Sequence, residues 1–258
     1  QTVTATGVDD LENDGNQLTS ITVSVNDGVS DNTFDPLPDQ TVPVITIDDD
    51  QAGFTIEQTG GGTSVSESGT TDDFSVVLTS EPASNVVMLV TSGDPGEAIV
   101  APTTLTFTPV NWDTPQVVTV TGVDDAFDDG DRFTVVTIAV DDANSDDAYD
   151  PLANQTVSVT TIDDDGVGFT VVQSGGNSVV TEGGTTDDFT VVLDAQPVLD
   201  VVLDITSGDT GEVTALPATL TFTSANWDTP QGVTLTGVDD AIDDGDVITL
   251  VTVSVDAG

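Results

Sequence analysis

The sequence predicts an all-β protein built from tandem immunoglobulin-like antiparallel β-sandwiches. Three observations lead there. Apolar residues alternate with Ser and Thr over short runs, Gly- and Asp-rich turns separate those runs, and the pattern recurs with a period of 115 residues. That period is close to the ~100 residues of one immunoglobulin-like sandwich.

The repeat needs no gaps. Gly7-Val8-Asp9-Asp10 returns as Gly122-Val123-Asp124-Asp125 and again as Gly237-Val238-Asp239-Asp240. On the same offset, Asp48-Asp49-Asp50 matches Asp163-Asp164-Asp165, Val65-Ser66-Glu67 matches Val180-Thr181-Glu182, and Ser92-Gly93-Asp94 matches Ser207-Gly208-Asp209. Solenoid units run ~20 to 50 residues, so a repeat of this length is expected to be a domain in itself. Residues 1–50 then form the C-terminal part of one repeat, 51–165 a complete repeat, and 166–258 the N-terminal part of the next, lacking its final strand.

Within the complete repeat the elements follow in order. Gly53 to Thr59 reads as a strand. Phe74, Val76 and Leu78 alternate with Ser75 and Thr79, and Leu105 and Phe107 alternate with Thr104, Thr106 and Thr108, as strands with one buried face require. Asn85 to Thr91, Gln116 to Thr121, Arg132 to Val140 and Gln155 to Ile162 complete a set of about seven strands. The intervening Gly-Gly-Gly, Asp-Pro-Gly and Asp-Asp-Gly stretches supply the backbone conformations of turns. Pro43 cannot donate to a ladder, which predicts an edge or a bulge, and the matching site holds Ser158. Trp112 and Trp227 occupy one fixed place per repeat and are expected at the core or a corner.

Composition narrows the chemistry. The chain has 47 acidic residues, one basic residue (Arg132), and no Lys, His or Cys, for a formal net charge of -46. Imidazole bases, thiolate nucleophiles, Schiff-base amines and His or Cys metal ligands are thereby excluded. A glycosidase-like pair of carboxylates is the one enzyme class left, and no pair is marked out for it, so the chain is not expected to be an enzyme. Nucleic acid and anionic membrane surfaces need clustered cations and are not expected partners. No apolar run reaches the ~20 residues of a membrane span. The chain starts at Gln1 without a basic-then-apolar leader, which reads as an excerpt or a processed product.

The acid is concentrated in turns. Asp124, Asp125, Asp128, Asp129 and Asp131 lie within eight residues, and Asp outnumbers Glu by 40 to 7. Short carboxylates in loops between rigid strands suit hard cations, with Ca2+ taking six to eight oxygen ligands at ~2.3 to 2.6 Å. Asp125 to Gly130 is not an EF-hand loop, because Phe127 stands at its third position and no Glu follows at its twelfth. Asp72-Asp73, Asp187-Asp188 and Asp146-Asp147 read as polar turns. An alternative source of acid is halophilic solvation, which predicts acid spread over strand faces rather than gathered in turns.

The repeat resembles the Calx-beta domain, the calcium-binding sandwich of sodium/calcium exchangers and of many large bacterial surface proteins. The resemblance rests on Val65-Ser66-Glu67, the Leu105-Thr106-Phe107 strand, the strand running into Val123-Asp124-Asp125, and the closing Thr161-Ile162-Asp163-Asp164-Asp165. It implies Ca2+ ligands at Glu67, Asp124, Asp125, Asp163, Asp164 and Asp165, at Asp129 or Asp128, and at Asp94 or Glu97. By the repeat offset, the counterparts are Asp9, Asp10, Asp48, Asp49 and Asp50 in the preceding repeat, and Glu182, Asp209, Asp239, Asp240 and Asp244 in the following one.

The function expected is that of a calcium-binding structural segment of an extracellular fibre, adhesin stalk or biofilm matrix, rigidified by Ca2+ at the junctions of repeats. The alternative is a surface-layer or sheath subunit of a halophilic organism. The expected partners are calcium ions and neighbouring repeats or identical chains, end to end. Residues Gln1 to Asp50 are a candidate donor of the strand that the last repeat lacks.

Overall fold

The computed structural model describes residues 1–239, 241 and 245–256. Asp240 and Asp244, two of the expected ligands, lie outside the described residues. The alternating runs form antiparallel strands, and the chain divides into two compact units. The first comprises Gln1–Val123 and Phe133–Thr161, the second Asp124–Arg132 and Ile162–Gly258.

In the first unit, β1 (Gln17–Val23) and β2 (Gln40–Thr46) form a two-stranded antiparallel sheet in which Ser20 pairs with Pro43. The proline therefore lies on an edge strand, where its missing N–H costs no interior ladder bond. There follow β3 (Phe54–Gln58), β4 (Thr63–Ser66), β5 (Thr71–Leu78), β6 (Val86–Ser92), β7 (Ala98–Ala101), β8 (Thr104–Phe107), β9 (Gln116–Gly122), β10 (Arg132–Val140) and β11 (Gln155–Ile162). They make a four-stranded sheet ordered β3-β5-β9-β7 and a five-stranded sheet ordered β4-β11-β10-β6-β8. Two of these strands, β4 and β7, are additional to the seven that alternation predicts. Val65 is the lone apolar residue of β4, where Thr63 is buried beside it, and β7 is apolar throughout with Ala98 buried, so neither sequence alternates apolar with polar residues.

The inward positions of the two sheets close one core: Phe74 and Val76 from β5, Met88 from β6, Phe107 from β8, Val120 from β9 and Val157 from β11, all with no exposed surface. Each such burial contributes roughly 1.5–3 kcal/mol. Trp112 packs at its margin and its carbonyl accepts the Leu78 N–H at 3.2 Å, a corner role. Tyr149 is fully buried, donating its hydroxyl to the Ser80 carbonyl at 2.6 Å.

The second unit repeats this plan with β12 (Phe169–Gln173), β13 (Thr186–Leu193), β14 (Val201–Ser207), β15 (Val213–Leu216), β16 (Thr219–Phe222), β17 (Gln231–Gly237) and β18 (Val251–Val255). Their sheets are ordered β12-β13-β17-β15 and β16-β14-β18. Phe189, Leu203, Phe222 and Val233 build its core. Trp227 accepts the Leu193 N–H at 3.1 Å, as Trp112 does for Leu78.

One close approach shapes the acidic end of the first sandwich. A Cβ at Gly122, the last residue of β9, would sit 2.1 Å from the Ser66 carbonyl oxygen, and one at Gly237 would sit 2.0 Å from that of Thr181. Only glycine lets the end of β4 lie against the end of β9. That contact sets Glu67, the next residue after β4, beside the strand that runs into Asp124.

Candidate metal centre

The acidic loop and the acidic triplet are tied by backbone hydrogen bonds, in the same pattern twice. In the second unit the Asp163 carboxylate accepts the Gly130 N–H on Oδ2 at 2.6 Å and the Asp165 N–H on Oδ1 at 2.9 Å. In the first, Asp48 accepts the Gly15 N–H at 2.6 Å and the Asp50 N–H at 2.9 Å. Gly130 and Gly15 hold φ of 76° and 74°, the left-handed region that a side chain resists. Asp163 N–H in turn donates to Asp131 at 3.3 Å, and Asp48 N–H to Asn16 at 2.9 Å. Asp125 accepts the Phe127 N–H at 2.8 Å, as Asp10 accepts that of Glu12 at 3.1 Å.

Each acidic loop is also bonded to the sandwich that follows it in sequence. Leu11 O accepts the Glu81 N–H at 2.7 Å within the first unit, and Ala126 O accepts the Gln196 N–H at 2.6 Å within the second. Asp128 accepts the Val167 N–H at 2.8 Å. The recurrence at an offset of 115 residues makes this an encoded arrangement rather than an accident of one loop.

Along an extended triplet, side chains alternate in direction. Asp163 and Asp165 are accordingly part-buried while Asp164 is exposed, and Asp48 and Asp50 are part-buried while Asp49 is exposed. Burial, followed by the charges of Asp163, Asp164, Asp124 and Asp125, raises the Asp165 carboxyl above the ordinary aspartate range. Burial, then Asp48, Asp49, Asp9 and Asp10, does the same at Asp50. Gathering like charges around one carboxylate disfavours its ionised form until a cation compensates.

In the second unit the carboxylate oxygens of Asp163 and Asp165 lie within 4.8 Å of one another, as do those of Asp125 and Asp129, and each pair offers ligands for a cation. In the first unit β7 pairs with β9 through Ala98 and Gly122, and Glu97 O accepts the Val123 N–H at 2.9 Å. Glu67 is only 1% exposed, unusual for a glutamate. An all-oxygen donor set fits a hard divalent ion such as Ca2+, and not a metal that prefers nitrogen or sulfur.

The expected residues are not all gathered. Asp94 is exposed and accepts the Gly96 N–H of its own turn at 3.0 Å, as Asp209 does from Gly211 at 2.9 Å. Asp9, Asp10, Asp124 and Asp239 are exposed and stand in neither pair. Glu182, the counterpart of Glu67, is exposed. Arg132, the one basic side chain, donates from Nε to Asp129 Oδ2 at 2.8 Å.

The remaining acid pairs are loop clamps. Asp72 accepts the Thr59 hydroxyl at 2.6 Å and the Ser64 N–H at 3.0 Å, closing the Gly60-Gly61-Gly62 turn. Asp187 repeats this with the Ser174 hydroxyl and the Val179 N–H. Asp146 accepts the N–H groups of Ser84 and Ala148 at 2.9 and 3.0 Å.

Neither a protein-family model nor a curated protein matches the chain. Among solved structures, the chain is similar to CBD12 from CALX1.2, at 14% identity over 77% of this chain and 79% of that one, with a TM-score of 0.34. It is also similar to the apo-form Calx CBD1 domain, at 15% identity over 43% and 98%, TM-score 0.29. A third is SSP-19 of Caenorhabditis elegans, an MSP-domain-like protein, at 18% identity over 40% and 92%, TM-score 0.28. At these scores the likeness carries no functional weight, and the chemistry rests on the chain's own residues.

Proposed function

We propose that the chain is a calcium-binding structural segment of a long extracellular or cell-surface protein, an adhesin stalk or matrix fibre with Calx-beta-like repeats. Residues 51–165 are the complete repeat in this reading, and calcium stiffens the succession of repeats. The observation that carries it is the twice-built acidic loop, clamped to its own Asp triplet and bonded to the sandwich that follows. A cation held there would restrain the link from one repeat to the next. It would also offset the repulsion that raises Asp50 and Asp165.

Such sites, with dissociation constants of ~0.1 to 1 mM, fill in millimolar external calcium and stay empty in a cytosol. The acids have a structural use in this reading, and no reaction is assigned to them. Neighbouring repeats or identical chains are the partners, end to end.

The test is small-angle scattering and calorimetry of the 258-residue chain at moderate ionic strength, with calcium and with EGTA. Chelation should broaden the distance distribution and lower the melting temperature, and Asn at Asp163, Asp164 and Asp165 should reproduce the effect in calcium. Identical curves with and without EGTA would instead favour the solvation role of acid in a halophilic sheath.

A further inference from the structure

At its acidic end the core of the first sandwich turns polar. Four neighbouring strands of the sheet ordered β4-β11-β10-β6-β8 start or finish there. On β6 the inward run Val86, Met88 and Val90 ends in Ser92, and on β11 Val157 and Val159 end in Thr161. On β10 Ile138 and Val136 lead back to Thr134, and past β4 Val65 is followed by Glu67. Burial follows the two-residue period of the strands, so these polar side chains face the space between the two sheets. Glu67 is 1% exposed, Thr134 3% and Thr161 0%. All of them belong to the first unit.

The hydroxyls are not used alike. Thr161 donates to Glu97 O at 3.3 Å, which brings the residue before β7, in the opposite sheet, over the same end. Thr134 Oγ1 and Ser92 Oγ are buried and have no hydrogen-bond partner among the described residues. Val136 pairs with Ser92, so Thr134, two residues away on the same face, is the diagonal neighbour of Ser92. A buried hydroxyl without a partner is destabilising, and valine has the same shape without that penalty. The sequence nevertheless places threonine here in each repeat, at Thr19, Thr134 and Thr249, while the inward position two residues on is Ile21, Val136 or Val251. Serine recurs likewise at Ser92 and Ser207. Hydroxyls retained against stability point to a ligand. Glu67 sets its sign, as a carboxylate nearly removed from water in a chain without Lys or His, whose Arg132 is engaged by Asp129. Carboxylate and hydroxyl oxygens together are a donor set for a hard cation.

We propose that Thr134 and Ser92 supply hydroxyl oxygens to a calcium ion that Glu67 holds inside the acidic end of the first sandwich. The carboxylate draws the ion in, and the hydroxyls extend its shell without adding negative charge. This rests on the calcium reading above and carries it from the exposed acidic loops to uncharged groups of the core. In the absence of calcium the two hydroxyls only weaken the fold, so removing one should stabilise the chain in EGTA and weaken its hold on calcium.

The experiment compares the natural 258-residue chain with Thr134→Val and Thr134→Ser, by melting in EGTA and by calorimetric titration with calcium at moderate ionic strength. Thr134→Val should melt a few degrees higher than the natural chain in EGTA and bind calcium about tenfold more weakly at its tightest site. Thr134→Ser keeps the hydroxyl and should bind within about twofold of the natural chain. Ser92→Ala should weaken binding in the same direction as Thr134→Val. Thr134→Val binding as tightly as the natural chain would overturn the assignment and leave the calcium reading standing. Equal losses in Thr134→Val and Thr134→Ser would do the same, since they would trace the effect to packing. A Thr134→Val chain that melts lower in EGTA would also overturn it, because the hydroxyl would then be bonded within the protein. A natural chain that binds no calcium would overturn both readings.

Discussion

Replacing Asp165 with Asn separates a metal ligand from an ordinary surface acid, because the sign of its effect should reverse with calcium. Asp165 has Asp163 within 4.8 Å, oxygen to oxygen. Two unit charges at that distance repel by about 3.5 kcal/mol at an effective dielectric of about 20 and by about 0.9 kcal/mol in bulk water. Asp165 is part-exposed, so the lower end applies, and salt reduces it further. Asn keeps the shape and the backbone N–H that bonds Asp163. In EGTA the variant should therefore be more stable than the natural chain by about 1 kcal/mol. For a unit of this size that is roughly 4–8 °C in melting temperature. In calcium the order should invert, since the variant has lost a ligand and gains less from RT ln(1 + [Ca2+]/Kd). Differential scanning calorimetry at 10 mM CaCl2 and at 1 mM EGTA reads both. A variant that is less stable than the natural chain in EGTA, or one whose calcium increment is unchanged, would refute the assignment.

Three further outcomes are expected. Gly122→Ala drives a Cβ into the Ser66 carbonyl, 2.1 Å away, and should destabilise the first sandwich by on the order of 2–3 kcal/mol by urea melting; a silent substitution would contradict the close approach. The Thr59 hydroxyl and then the Ser64 N–H hold the Asp72 carboxyl below its ordinary range. A depressed acid stabilises above its unfolded value and loses that contribution as pH falls through the folded one, so Asp72→Asn should flatten the loss of stability below pH ~4, read by melts at stepped pH. Asp125→Asn should weaken calcium binding about tenfold while Asp94→Asn leaves it within twofold, by calorimetric titration; equal effects would disown the pairing of Asp125 with Asp129.

Much of this architecture is legible in the residues, and the exceptions have physical causes. β5 and β8 declare themselves because Phe74, Val76, Leu78, Leu105 and Phe107 recur at every second position, with Ser75, Thr79, Thr104 and Thr106 among their neighbours. β4 and β7 do not, since Val65 is the lone apolar residue of β4 and β7 is apolar throughout, so neither sequence alternates. The acidic loop and triplet stand out by composition, but composition does not tell a clamp from a candidate ligand. Asp163 and Asp48 spend both carboxylate oxygens on backbone N–H groups, and Asp94 spends one on its own turn. Alternation along an extended triplet, applied to Asp163 to Asp165, would have set Asp164 apart from its neighbours.

Calcium binding by the intact chain decides the matter. Equilibrium dialysis of the 258-residue protein against 1 mM CaCl2 in 150 mM KCl with 5 mM MgCl2 should retain calcium stoichiometrically, with half-saturation below ~1 mM. Retention no greater than that of a diffuse counterion atmosphere, abolished by the potassium and magnesium present, would contradict the account.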